Sequence, residues 1–277
     1  MVQIITDSST LYTPDEARAL GFEAVPLCVS IGDFDGRDLL LDMKDFYARI
    51  ERGEIPKSSQ PPIGEVLDVF EKYSDCEIIN ISMADGLSGT YQSACGVREM
   101  IDNNEHIHVI NSTTLCGPHR YMVEKAQKMK EDGCSAKEIL DWLDYAATTH
   151  ESFLIPQDFA FLRRGGRLTP MAAAIGSVLK IKPVMTQTPD SKKLDKFTIK
   201  RTLKAAVQAV IKQMKEKGVD SRYIVHVSHA EAFSDAKKVM GWLAEEFPDV
   251  EIQMLDLGAA FVTQGGPQCV AIQYIEK

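Results

Sequence analysis

"EIINISMADGLSGTYQSACGVREMI", residues 77–101, changes character twice. Its first seven positions are mostly apolar with three isoleucines, the pattern of a short buried strand. Its last twelve read as a helix, and the turn between them holds Gly86, Ser88 and Gly89. Strand, hydroxyl-bearing turn and helix therefore follow within 25 residues.

The same order recurs on both sides. "VQIITDSS" (2–9) leads into "TPDEARALGF" (13–22), where Thr13 is placed as N-cap, Pro14 opens the helix and Gly21 ends it. "IHVINS" (107–112) leads into "HRYMVEKAQKMKEDG" (119–133). This alternation predicts a Rossmann-like parallel sheet with helices on both faces, an α/β fold. Ligands of such sheets collect beyond the carboxyl ends of the strands, where the turns after Ile5, Met83 and Ile110 fall. Between these strand–helix units, which are not a sequence repeat, "EAVPLCVSI" (23–31) reads as one strand and "GDFDGRD" (32–38) as a polar connection. "DMKDFYARIERG" (42–53) is a helix capped by Asp42 and stopped at Gly53. "IGEVLDVFEKY" (63–73) is another, with Val66, Phe70 and Tyr73 on one side.

After the helix "SAKEILDWLDYAATTH" (135–150) the composition shifts, which places a domain boundary near residue 150. Two domains are expected, 1–150 and 151–277, the second an α/β domain with a mixed sheet. In it "LTPMAAAIGSVL" (168–179) reads as a buried helix capped by Thr169, "TQTPDSKKLDKF" (186–197) as a basic loop and "TQGGPQ" (263–268) as a flexible turn. Helices over 200–218 and 234–247 alternate with strands over 223–229, 251–257 and 268–277.

A chain of 277 residues, 44% hydrophobic and 26% charged, is ordinary for a globular protein. No apolar run approaches the roughly 18 residues of a membrane span, and "MVQIITDSST" has no signal-peptide pattern, so the cytoplasm is expected. The six cysteines lack any C-x-x-C pair, which disfavours a zinc cage and a redox motif; they read as reduced, mostly buried thiols. The net charge is −9, yet residues 160–204 carry eleven Lys/Arg against two Asp. That strip suits a solvated face better than a nucleic-acid or membrane surface, because the whole chain is acidic and no recognition motif accompanies it.

Ser88 admits three roles. As a nucleophile it would need G-x-S-x-G, but the string is Gly86-Leu87-Ser88-Gly89, and no local pattern points any histidine at it. No G-x-G and no G-K-[ST] occurs, so neither a dinucleotide fingerprint nor a P-loop is present. The remaining roles, helix cap and anion holder, suit the turn equally: small residues admit a ligand, the first helical N–H groups face it, and Ser88 and Thr90 add hydroxyls. "KSSQPP" (57–62) is a second hydroxyl cluster, and "RRGGRL" (163–168) offers arginines for a carboxylate or phosphate.

Together, "TDSS", "VPLCVSI", "DFYARI", "KSSQPP", "GLSGTYQSA", "FLRRGGRL", "GSVLKIKPVM", "KRTLKAA" and "TQGGP" resemble, in this order, the DegV family of bacterial fatty-acid-binding proteins. The resemblance implies two α/β domains and a tunnel, formed largely by the second, for one long-chain fatty acid. It implies a carboxyl group held by hydroxyls and no metal or cofactor. Such proteins serve a fatty acid kinase on the way to phospholipid, and are not themselves the catalyst. The family's T-S-Q-P falls on Ser58, Ser59, Gln60 and Pro61; its L-S-G-T-Y on Leu87 to Tyr91; its G-G-R puts Arg167 near the head group. Two departures stand out. Ala84 and Asp85 replace a pair of serines, and Gln264 replaces a histidine. A carboxylate at Asp85 repels a fatty carboxylate, whereas Gln264 still donates a hydrogen bond.

The implied ligand-binding set is Ser58, Ser59, Asp85, Gly86, Ser88, Gly89, Thr90, Arg167 and Gln264. The expected partners are a long-chain fatty acid and a fatty acid kinase, without nucleic acid or stable membrane insertion. The alternative is a serine-dependent acyl hydrolase or transferase using Ser88.

Overall fold

A computed structural model describes residues 1–175 and 181–277. It divides into two compact units, Met1–Thr148 and Thr149–Lys277.

The first unit runs β1 (Val2–Asp7), α1 (Pro14–Ala19), β2 (Glu23–Val25), β3 (Cys28–Ile31), β4 (Phe34–Arg37), α2 (Met43–Glu51) and β5 (Lys57–Ser59). It continues with α3 (Ile63–Lys72), β6 (Glu77–Ser82), α4 (Thr90–Arg98), β7 (Ile107–Asn111), α5 (Cys116–Glu131) and α6 (Ala136–Ala146). Strands pair in the order β2-β1-β6-β7, all parallel. Helices α3 and α4 pack together on one face, where Ile5, Val25, Val66, Phe70, Ile78, Val97 and Ile107 form a core. On the other face α5 meets β1, and α6 meets β6. Thr13 caps α1 in a full capping box with Glu16, and Asp42 caps α2.

"EAVPLCVSI" is two strands, not one. Pro26 has no N–H to continue the ladder, so β2 ends at Val25 and β3 joins a separate antiparallel sheet ordered β4-β3-β5. That sheet takes in the polar "DFDGR" segment as β4 and the serines of "KSSQPP" as β5.

The second unit runs β8 (Glu151–Ile155), α7 (Phe159–Gly165), α8 (Pro170–Ala173), β9 (Lys182–Gln187), β10 (Leu194–Lys200) and α9 (Leu203–Glu216). Then come β11 (Tyr223–His229), α10 (Phe233–Glu246), β12 (Glu251–Asp256), α11 (Ala259–Gly265) and β13 (Val270–Glu276). Its sheet is mixed, ordered β10-β9-β8-β13-β11-β12, with β11 and β12 its parallel pair. Helices α9 and α10 cover one face with Val207, Val210, Met214, Val239 and Leu243.

Four expectations need correction. The basic "TQTPDSKKLDKF" segment is the turn and flanks of the β9–β10 hairpin; β10 is an edge strand, where charged side chains are ordinary. "TQGGPQ" is no flexible turn at its start, since Thr263 to Gly265 close α11. Thr169 caps α8 and Ala172 is buried, but Met171 is 72% exposed, so the helix is not buried on every side. The rest of that predicted helix, residues 176–179, lies outside the described residues. Finally, the free cysteines are not mostly buried: Cys116 and Cys269 are, while Cys28, Cys76, Cys95 and Cys134 are partly accessible. Among the described residues no helix is long and apolar enough to cross a membrane.

Candidate functional site

The turn between β6 and α4 is tied to the turn that follows β7. Ala84 donates its N–H to the Thr114 carbonyl at 2.8 Å, and the Asp85 N–H donates to Asn111 Oδ1 at 3.1 Å. Gly86 takes φ 86°, a left-handed conformation that lets the chain reverse there. Ser88 and Thr90 then stand with their hydroxyl oxygens 2.8 Å apart, and Ser88 Oγ also accepts the Thr90 N–H at 3.3 Å.

Cap and anion holder are thus compatible roles for Ser88. The two hydroxyls own two protons and spend one on each other, which leaves one O–H at the start of α4 to donate outward. Aligned peptide dipoles make that end of a helix favourable for an anion. The Asp85 side chain turns toward the same helix, where its Oδ2 accepts from the Gln92 amide at 3.2 Å.

"KSSQPP" meets this turn through Gln60, whose side-chain oxygen occupies the space a Cβ on Gly89 would need. On β5, Ser58 pairs with Val29 and Ser59 with Cys28. Strand alternation sends the two serines to opposite faces, Ser58 half-buried and Ser59 exposed, so they do not address one ligand atom together.

Beneath the strand ends lies a buried polar network that the sequence reading did not single out. Asp7 is 2% exposed; its Oδ1 accepts the Ser9 N–H at 2.8 Å and its Oδ2 the Met83 N–H at 2.9 Å, which joins the ends of β1 and β6. His119 is fully buried, with Nε2 3.0 Å from the Ile81 carbonyl and Nδ1 2.6 Å from Ser9 Oγ. A carbonyl only accepts, so Nε2 carries the proton and Ser9 donates to Nδ1. Burial pushes the His119 pKa down, outweighing the pull of the Asp7 charge and the Ile81 carbonyl. "TDSS" after a strand was the available signal for Asp7; nothing local marks His119.

The other candidates belong to the second unit and converge on a glycine. Gly165 ends α7, and Gly166 follows at φ 73°. Arg167 Nη1 donates to the Gly165 carbonyl at 2.5 Å, and the Gln264 side-chain oxygen, near the end of α11, fills the space beside Gly165. Arg163 and Arg164 differ from Arg167: both are exposed, lying over the rings of Phe159 and Phe161. The candidates therefore form two groups, Ser58, Ser59, Asp85, Gly86, Ser88, Gly89 and Thr90 in one unit, and Arg167 and Gln264 in the other. Among the described residues no group of three or more His, Cys, Asp or Glu is placed to hold a metal ion.

A sequence model described as an uncharacterised protein of the DegV family matches residues 1–277. Protein DegV of Bacillus subtilis is 32% identical over 285 residues, spanning 100% of this chain and 99% of its own. A crystal structure of DegV, a fatty acid binding protein from Bacillus subtilis, superposes with a TM-score of 0.86 at 30% identity, covering 100% of this chain and 99% of that one. A family protein from Eubacterium eligens, solved loaded with heptadecanoic acid, shares the fold at 20% identity with a TM-score of 0.86, both chains being fully covered.

Proposed function

The chain belongs to the DegV family, and from that premise we propose that it binds a long-chain fatty acid and presents its carboxyl group to a partner enzyme without catalysing a reaction itself. The observation that carries this reading is the Ser88–Thr90 hydroxyl pair at the start of α4, with Gln60 packed against Gly89 beside it. Ser88 and Ser58 of the first unit donate to the carboxylate in this reading, and the family resemblance adds Gln264 as a further donor and Arg167 as a positive charge. The fatty acids of the Bacillus and Eubacterium proteins, neighbours of the same fold, support the ligand class.

Burial of each methylene is worth about 0.8 kcal/mol, so a chain of sixteen carbons supplies on the order of 10 kcal/mol before its costs. Most of the affinity then comes from the tail, while the head-group residues add a smaller share and set orientation. The partner in this reading is a fatty acid kinase that phosphorylates the presented carboxylate in the cytoplasm. Phosphoryl transfer depends on positioning and charge, so the substitutions at Asp85 and Gln264 weigh more on that step than on binding.

Against Ser88 as a nucleophile stands its hydrogen bonding to Thr90, where a hydrolase needs a base. His119 meets Ser9 instead, and both are sealed from solvent. Mass spectrometry of protein purified from cells and then denatured tests the proposal. A co-purified acyl chain, or uptake of added fatty acid, is the expected result; absence of both refutes it.

A further inference from the structure

Between the ends of β1 and β6 and the start of α4 the first unit has a small, partly open cavity of about 10 Å³. Its polar wall is made by Thr6, Asp7, Asn80, Ser82, Thr90 and Ser93. That volume matches the roughly 10–15 Å³ needed for a single water and is far too small for an acyl chain.

Most of the wall is already committed. Thr6 Oγ1 donates to the Ile81 carbonyl and faces His119 Nε2, and Ser82 donates to Asn80 Oδ1 at 2.7 Å. Ser93, Asp7 and Thr90 are among the groups with capacity to spare. Ser93 Oγ is buried and meets no partner among the described residues. Each Asp7 carboxylate oxygen accepts one backbone N–H and can accept again. Among the described residues Thr90 Oγ1 is engaged with Ser88 alone. One donor and two acceptors are what an internal water with two protons requires.

We infer that this cavity is a built site for one ordered water, which accepts from Ser93 and donates to Asp7 and Thr90. Thr90 then donates to Ser88, and the Ser88 proton is the one that points outward. The water thereby links the buried Asp7 carboxylate to the hydroxyl assigned to the head group, and fixes which way the Ser88–Thr90 hydrogen bond runs. This coupling rests on the fatty-acid reading, whereas the water site itself does not.

The test is a high-resolution crystal structure of the full chain without added lipid, alongside the Ser93→Val variant. The inference expects water density within hydrogen-bond distance of Ser93 Oγ and an Asp7 oxygen in the native protein. In Ser93→Val, where methyl groups take up the space, it expects that density to vanish and affinity for palmitate to fall about threefold to tenfold. An empty or collapsed cavity in the native protein overturns the site. Density lost in the variant with unchanged affinity overturns the coupling. A protein that holds the water but takes up no fatty acid overturns the functional proposal and leaves the site standing. Thermal unfolding of the variant near the native midpoint excludes loss of the fold as the cause.

Discussion

The side-chain oxygen of Gln264, near the end of α11, lies in the space that any side chain on Gly165 would occupy. Gly165 therefore stays small so that α11 can approach α7, and its own carbonyl is held by Arg167. Only the end of a flexible side chain stands in the way of a methyl group there.

Gly165→Ala is accordingly expected to leave stability within about 1 kcal/mol, since the better helix propensity of alanine offsets part of the crowding. Fatty-acid affinity should fall severalfold, because Gln264 is displaced. Urea denaturation beside a fluorescent fatty-acid titration separates the two quantities. Unfolding at much lower urea would mean that the approach of α11 is a packing requirement instead.

Ser88→Ala removes a donor to a charged group, worth about 1.5–3 kcal/mol, and binding should weaken by about tenfold or more. The Thr90 N–H also loses an acceptor, for which a stability cost of about 1 kcal/mol is expected. Isothermal titration together with calorimetric unfolding reads both effects. Unchanged affinity would assign Ser88 to capping alone.

The two glycines of the turn answer differently to alanine. Gly86 sits at φ 86°, where an L-residue costs about 1–2 kcal/mol, so Gly86→Ala should lower the unfolding midpoint. Gly89 has an ordinary φ of −76°, and alanine there meets only the end of Gln60. Gly89→Ala should retain stability while loosening the tie between "KSSQPP" and the Ser88 turn. Equal losses of stability in both variants would contradict this division.

His119 predicts a pH dependence. Its pKa in the folded protein is lowered by burial, so the unfolded chain binds more protons once pH falls below its ordinary value of about 6.5. The stability associated with neutral His119 is fully present above that pH and declines as pH falls through it toward the lowered folded value. Unfolding free energies between pH 7.5 and 5.5 should slope downward on acidification, and His119→Gln should flatten the slope. A native curve level across that range would show that the ring protonates without cost.

The parallel sheet was legible because β1, β6 and β7 are short runs rich in isoleucine and valine and each leads into a helix. The small β4-β3-β5 sheet was not: Phe34–Arg37 holds Asp35 and Gly36, and Lys57–Ser59 is wholly polar, so neither carries an apolar alternation. The β9–β10 hairpin hid for a related reason, since an edge strand tolerates the lysines that read as loop. Within the candidate site, Ser88, Thr90 and the glycines were marked by their own turn. Asp7 and His119 were invisible as partners, because the ring and Ser9 lie 110 residues apart in sequence and their pairing exists only once the sheet has formed.

That separation also bears on how the protein comes to be made. Asp7 reaches Met83 across 76 residues, and β1 is paired with β6 over the same long interval. Closing so long a loop costs chain entropy that the local helices do not repay, which slows folding. The nascent chain must therefore emerge well past residue 82 before the Ser88 turn has a sheet end to rest on. The hydroxyl pair of that turn is therefore assembled late, and its formation reports on whether β1 and β6 have paired.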